Sequence, residues 1–138
     1  MSSFSYLSMM LWVNVAYFCC MCLAHWFGMK NTMFGIKKPI LFVYYDTAYY
    51  AYQDKIIAFC VMTYILLFTA AALHPEIVAP FAIASMWFTA AGLCAINTTG
   101  DLRRALPVGQ TSTKFYWAQS VMIGGIAAVL TTLYALSL

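Results

Sequence analysis

The sequence predicts an all-α integral membrane protein, a bundle of four transmembrane helices with both termini on the outer side. Three observations lead there. Of 138 residues, 64% are hydrophobic and only 8% are charged, whereas a soluble domain carries about 25% charged residues. The apolar residues run continuously instead of alternating, and a backbone in lipid must satisfy its own hydrogen bonds, as a helix does within one segment. Finally, all seven lysines and arginines fall in or beside only two of the stretches that separate the apolar runs.

The first span is expected over about residues 4–29, interrupted only by small or polar residues such as Ser5, Ser8 and Asn14. No Lys or Arg precedes it and no small-residue cleavage pattern follows, so it is expected to persist as a helix rather than act as a cleavable signal. The second span is placed at about 55–73, the third at about 81–96 and the fourth at about 115–138. The third is the shortest and would just cross a thin hydrocarbon core. Between the second and third lies only His74-Pro75-Glu76-Ile77-Val78-Ala79-Pro80. Pro75 disfavours helix at His74, while Pro80 suits the first turn of the next helix. So short a link makes these spans antiparallel neighbours.

The connection between the first two spans has an unusual composition. Residues 39–54 contain Tyr44, Tyr45, Tyr49, Tyr50 and Tyr52 but too few purely apolar residues to cross. Tyrosine, apolar in its ring and polar at its tip, favours the headgroup level. The segment reads as an interfacial helix leading into the second span, with a re-entrant segment as the alternative. In the connection from 97 to 114, Asp101 is placed to cap a short surface helix, and Ser112 or Thr113 to cap the fourth span.

Orientation follows from the cations. Lys30, Lys37, Lys38 and Lys55 belong to the first connection, and Arg103, Arg104 and Lys114 to the third. The termini and the 74–80 link have none. Because short cytoplasmic loops carry the excess of Lys and Arg, both basic connections are expected inside, with Lys30, Lys37, Lys38, Arg103, Arg104 and Lys114 against lipid headgroups. Lipid thus accounts for the net charge of +3 without nucleic acid.

Helix association in lipid depends on close packing and interhelical hydrogen bonds. Ser120, Gly124 and Ala128 recur at four-residue spacing in the fourth span, and Ser85 with Thr89 and Ala91 with Ala95 do so in the third. These residues are expected to pack helix against helix within the chain, or against another chain.

Residues able to do chemistry are few. No Asp, Glu, Lys or Arg lies in the middle of a span, which argues against an ion-coupled transporter, pump or voltage sensor. Asp46 and Asp54 share a side without forming a recognisable catalytic pair. His25 and His74 belong at opposite ends of their spans, too far apart for one bis-histidine haem. Cys19, Cys22, His25 and Met29 share one helical face about 120° wide, with Asn14 just beyond its edge. That soft set suits Cu(I), although thiols in an apolar run also serve as small hydrophobes. Asn14, Thr63, Tyr64, Thr69, Asn97, Gln119, Thr131 and Thr132 are expected to bond across helices or to their own carbonyls. The same side chains, with Trp12, Trp26, Trp87 and Trp117, could line a pocket for a quinone, lipid or pigment.

The expectation is therefore an accessory or structural subunit of a larger membrane complex, without catalysis or a cofactor of its own, whose partners are lipids and other membrane subunits. The alternatives are a binder or enzyme for a hydrophobic small molecule, and copper handling through the first span.

Overall fold

The computed structural model describes residues 4–26, 32–33, 36–37, 50–99 and 114–138. They form helices α1 (Ser5–Trp26), α2 (Tyr50–Leu73), α3 (Pro75–Thr98) and α4 (Lys114–Ala135), with a small hairpin between α1 and α2. The hairpin pairs β1 (Thr32–Met33) with β2 (Ile36–Lys37) in antiparallel register, Thr32 opposite Lys37. It has no counterpart among the elements read from the sequence. The helices have 22, 24, 24 and 22 residues, so each is about 33–36 Å long at 1.5 Å per residue. All four contain a stretch long and apolar enough to cross a membrane. This is the architecture of a multi-pass membrane protein.

Cross-helix contacts give the helix directions. Ser8 Oγ, near the start of α1, donates to the Ala72 carbonyl near the end of α2 at 2.6 Å, and Cys22 Sγ lies 3.5 Å from the Ala58 carbonyl. Those helices are antiparallel. The Asn97 amide meets Ser120 Oγ at 2.9 Å and the Trp87 indole meets Thr131 Oγ1 at 3.0 Å, so α3 and α4 are antiparallel too. Tyr64 bonds to Thr89 across α2 and α3, and the Phe4 and Tyr134 rings lie 6.3 Å apart across α1 and α4. The helices thus run up, down, up, down around a square. Trp26, Tyr50, Thr98 and Lys114, the helix ends that bracket both basic stretches of the sequence, lie at one end.

Burial follows a seam along each helix. In α1 the buried Leu7, Leu11, Asn14, Phe18, Met21 and His25 alternate steps of four and three. In α4 the buried Ser120, Ile123, Ala127 and Leu130 follow steps of three, four and three. A mean repeat of 3.5 residues keeps a stripe in register with a neighbour only when helices pack with the shallow left-handed crossing of coiled coils. At the centre, the Phe18 ring lies 5.1 Å from Phe68 and 5.3 Å from Tyr64, joining α1 to α2. The outward face is equally apolar: Phe59, Leu66, Phe81, Phe88 and Val121 are all exposed.

Two helix boundaries differ from the sequence expectation. The link between α2 and α3 is His74 alone, and α3 begins at Pro75 instead of near Phe81. Proline at the first helical position gives up no helical hydrogen bond, and it drives His74 to φ −131°, ψ 63°, outside the helical region. Pro80 consequently lies inside α3, where it cannot donate to the Glu76 carbonyl. α2 starts at Tyr50, so residues 50–54 of the tyrosine-rich segment continue that helix, with Tyr52 exposed. Residues 39–49 and the Asp101, Ser112 and Thr113 cap expectations lie outside the described residues.

A buried and an exposed phenylalanine should separate cleanly. Phe68→Ala, at a fully buried position, is expected to lower stability by about 3 kcal/mol through cavity formation. Phe88→Ala, at 81% exposure, should change it by less than about 0.5 kcal/mol. Denaturant titration of the purified protein in mixed micelles, followed by circular dichroism, measures both.

Candidate functional site

Polar side chains in the bundle are engaged in helix-to-helix and helix-to-self bonds, and the candidate site is best read from how they are engaged. Tyr64 and Thr89 form the central pair. Thr89 Oγ1 donates to the Ser85 carbonyl at 2.8 Å and meets the Tyr64 hydroxyl, while Ser85 Oγ donates to the Ala82 carbonyl at 2.7 Å. Thr131 Oγ1 donates to its own helix at the Ala127 carbonyl, 2.7 Å away, and accepts from the Trp87 indole. A hydroxyl can do both because it has one hydrogen and two lone pairs. Thr63 and Thr132 bond back to the carbonyls of Cys60 and Ala128. Asn14, only 3% exposed in the middle of α1, donates from Nδ2 to the Met10 carbonyl at 2.8 Å.

The soft-ligand face of α1 is present as a face. Cys19 and Cys22 are half-buried and His25 is buried, whereas Met29 lies outside the described residues. Among the described residues, no three His, Cys, Asp or Glu side chains gather as a metal-binding group. Helix geometry supplies the reason: from Cys19 to His25 the axis rises about 9 Å, and residues that share a face over two turns do not share a point. The Cys22 thiol is turned toward the Ala58 carbonyl of α2. All five thiols are free, with Cys20, Cys60 and Cys94 exposed.

His25 and His74 lie at opposite ends of the bundle. His25 is buried at 5% exposure among the helices near the end of α1, while His74 is exposed at the other end, with Nδ1 4.0 Å from Glu76 Oε1. Asp46 and Asp101 lie outside the described residues. The four tryptophans are all exposed on the outer surface, so they do not converge on a common interior.

The small residues divide into two groups. Ser120 is buried against α3, and a Cβ added at Gly124 would lie 3.9 Å from the Ala90 Cβ, so this stretch of α4 approaches α3 closely. Ser85 and Thr89 are half-buried at the α2–α3 seam. Ala91, Ala95 and Ala128 are exposed on the outer face. At 40° of drift for every four residues, Ala128 has rotated away from the Ser120 seam, and Ala127 occupies the interior in its place. Of the expected headgroup contacts, Lys37 belongs to β2 and Lys114 opens α4. Lys30, Lys38, Arg103 and Arg104 lie outside the described residues.

Spacing did not foretell the particular pairs Tyr64–Thr89, Trp87–Thr131, Asn97–Ser120 and Ser8–Ala72. The residue types were visible; the partners depend on helix rotation, which a sequence apolar all round leaves open. No protein-family model, curated protein or solved structure matches the chain.

The Tyr64–Thr89 pair can be measured directly. Tyr64→Phe and Thr89→Val should each destabilise the bundle, and the double variant should cost less than their sum by about 0.6–1.7 kcal/mol, the range for interhelical bonds in membranes. Unfolding titrations of all four forms in mixed micelles yield that coupling energy.

Proposed function

We propose that this chain is an accessory subunit of a larger membrane assembly, contributing packing surface and no catalysis. One observation carries the reading: Ala91, Ala95 and Ala128 are exposed on the outer face, beyond what the packing of the four helices against one another uses. Small residues let a neighbouring backbone come close, and in lipid such closeness is what makes a helix contact favourable. Two features support it. Among the described residues, the buried polar side chains are Asn14, His25, Ser120 and Ser137, with no buried Asp, Glu, Lys or Arg. The hydroxyls and amides are largely engaged in bonds that hold helices in place. In this reading the basic end, with the tyrosine-rich stretch, faces the inner side and both termini face outward, the orientation that the excess of Lys and Arg in two stretches of the sequence favours.

Native mass spectrometry of the protein extracted gently from its own membranes tests the proposal. Co-release with other polypeptides at fixed stoichiometry is the expected result, and Ala91→Leu with Ala95→Leu should abolish it while leaving helix content unchanged. Release as a bare monomer, or with a bound small molecule and no protein partner, would overturn the subunit reading. For the orientation, a protease added to intact cells should remove a tag at the C-terminus but not one placed at residue 109.

A further inference from the structure

The basic end carries one arrangement that packing does not explain. Lys55 Nζ sits 6.0 Å from the centre of the Trp26 ring, across the seam between the end of α1 and the start of α2. Both side chains are exposed. The apolar span of α2 runs from Lys55 to Leu73, about 28 Å of helix, so Lys55 stands where the hydrocarbon core gives way to headgroups. One turn deeper on each helix, Leu23 of α1 and Phe59 of α2 are also exposed. An ammonium and an indole therefore sit at headgroup depth, with an apolar track below them.

We infer that the α1–α2 seam at the basic end holds an anionic phospholipid, its phosphate against Lys55 and Trp26 and an acyl chain along Leu23 and Phe59. The chemistry of each part fits. A lysine amine has three donors, an indole has one N–H donor and an apolar body suited to the interface, and a phosphate monoanion is the natural acceptor. The surrounding charge favours an anion as well. Seven cations and three of the four carboxylates (Asp46, Asp54 and Asp101) belong to the two basic stretches or the first turns of the helices that follow them, against Glu76 alone at the other end. A headgroup whose phosphate is balanced by choline brings no net charge to this field, whereas a glycerol headgroup leaves the anion uncompensated. This inference needs the chain to lie in a bilayer but is independent of whether it joins a larger assembly.

The full chain in a neutral detergent, titrated with phosphatidylglycerol or phosphatidylcholine and observed by native mass spectrometry, tests the site. Phosphatidylglycerol should form a one-to-one adduct at lower concentration than phosphatidylcholine. Lys55→Gln should weaken that adduct about fivefold, the scale expected for one lysine at an anionic surface, while leaving phosphatidylcholine binding unchanged. Lys55→Arg should retain binding, which guards against a folding defect in the neutral variant. Lys114→Gln, on α4, should have little effect. Equal binding of the two lipids by the native chain, or equal losses from Lys55→Gln and Lys114→Gln, would overturn the inference in favour of a diffuse basic surface. Displacement of the lipid by millimolar inorganic phosphate would reassign the pair to free phosphate and overturn it as well.

Discussion

A leucine side chain gains little by leaving lipid tails for another leucine, and this constraint governs the whole molecule. The hydrophobic effect puts each helix into the bilayer but does not say which helix it should touch or which face it should turn inward. That choice rests on van der Waals fit and a small set of polar contacts. The three-four alternation of buried positions along α1 and α4 answers the first requirement. Bonds between Ser8 and Ala72, Tyr64 and Thr89, Trp87 and Thr131, and Asn97 and Ser120 answer the second. They are distributed over three of the four seams, and the fourth, α1 with α4, carries the Phe4–Tyr134 ring contact.

The same constraint explains what the sequence disclosed. Helix number was legible because continuous apolar runs of membrane length admit few other solutions. Helix rotation was not legible, because side chains such as Phe68 and Phe88 look alike in sequence, yet one is fully buried and the other 81% exposed. The small-residue motifs show this most clearly. Ser120, Gly124 and Ala128 look like one stripe at four-residue spacing, but an α-helix drifts away from that spacing and divides them between interior and surface. Prolines misled for a different reason. Pro75 and Pro80 bracket a stretch that reads as a loop, whereas a proline at a helix start is compatible with helix and one in the second turn of a membrane helix is tolerated when neighbours compensate.

The face of Cys19, Cys22 and His25 marks the limit of reading a site from helical phase. Angular coincidence requires only matching rotation, whereas a ligand set also requires matching height along the axis and a second element to close it. Among the described residues this face presents the Cys22 thiol to a carbonyl of α2 and a histidine enclosed by helices, with Cys19 and His25 about 9 Å apart along the axis. By contrast, Trp26 and Lys55 come from different helices and meet at one height, which is why their proximity has chemical meaning.

The one-residue link at His74 also bears on how the chain enters its membrane. With one residue between them, the end of α2 and the start of α3 are held at one depth, so the two helices tilt and slide together. If the two insert tip first as one helical hairpin, His74 and Glu76 cross at its leading edge. Dragging one carboxylate and one imidazole through the core is opposed by the transfer of nearly fifty apolar-rich residues at once, so the energetics of biogenesis are set by the pair and not by either span alone.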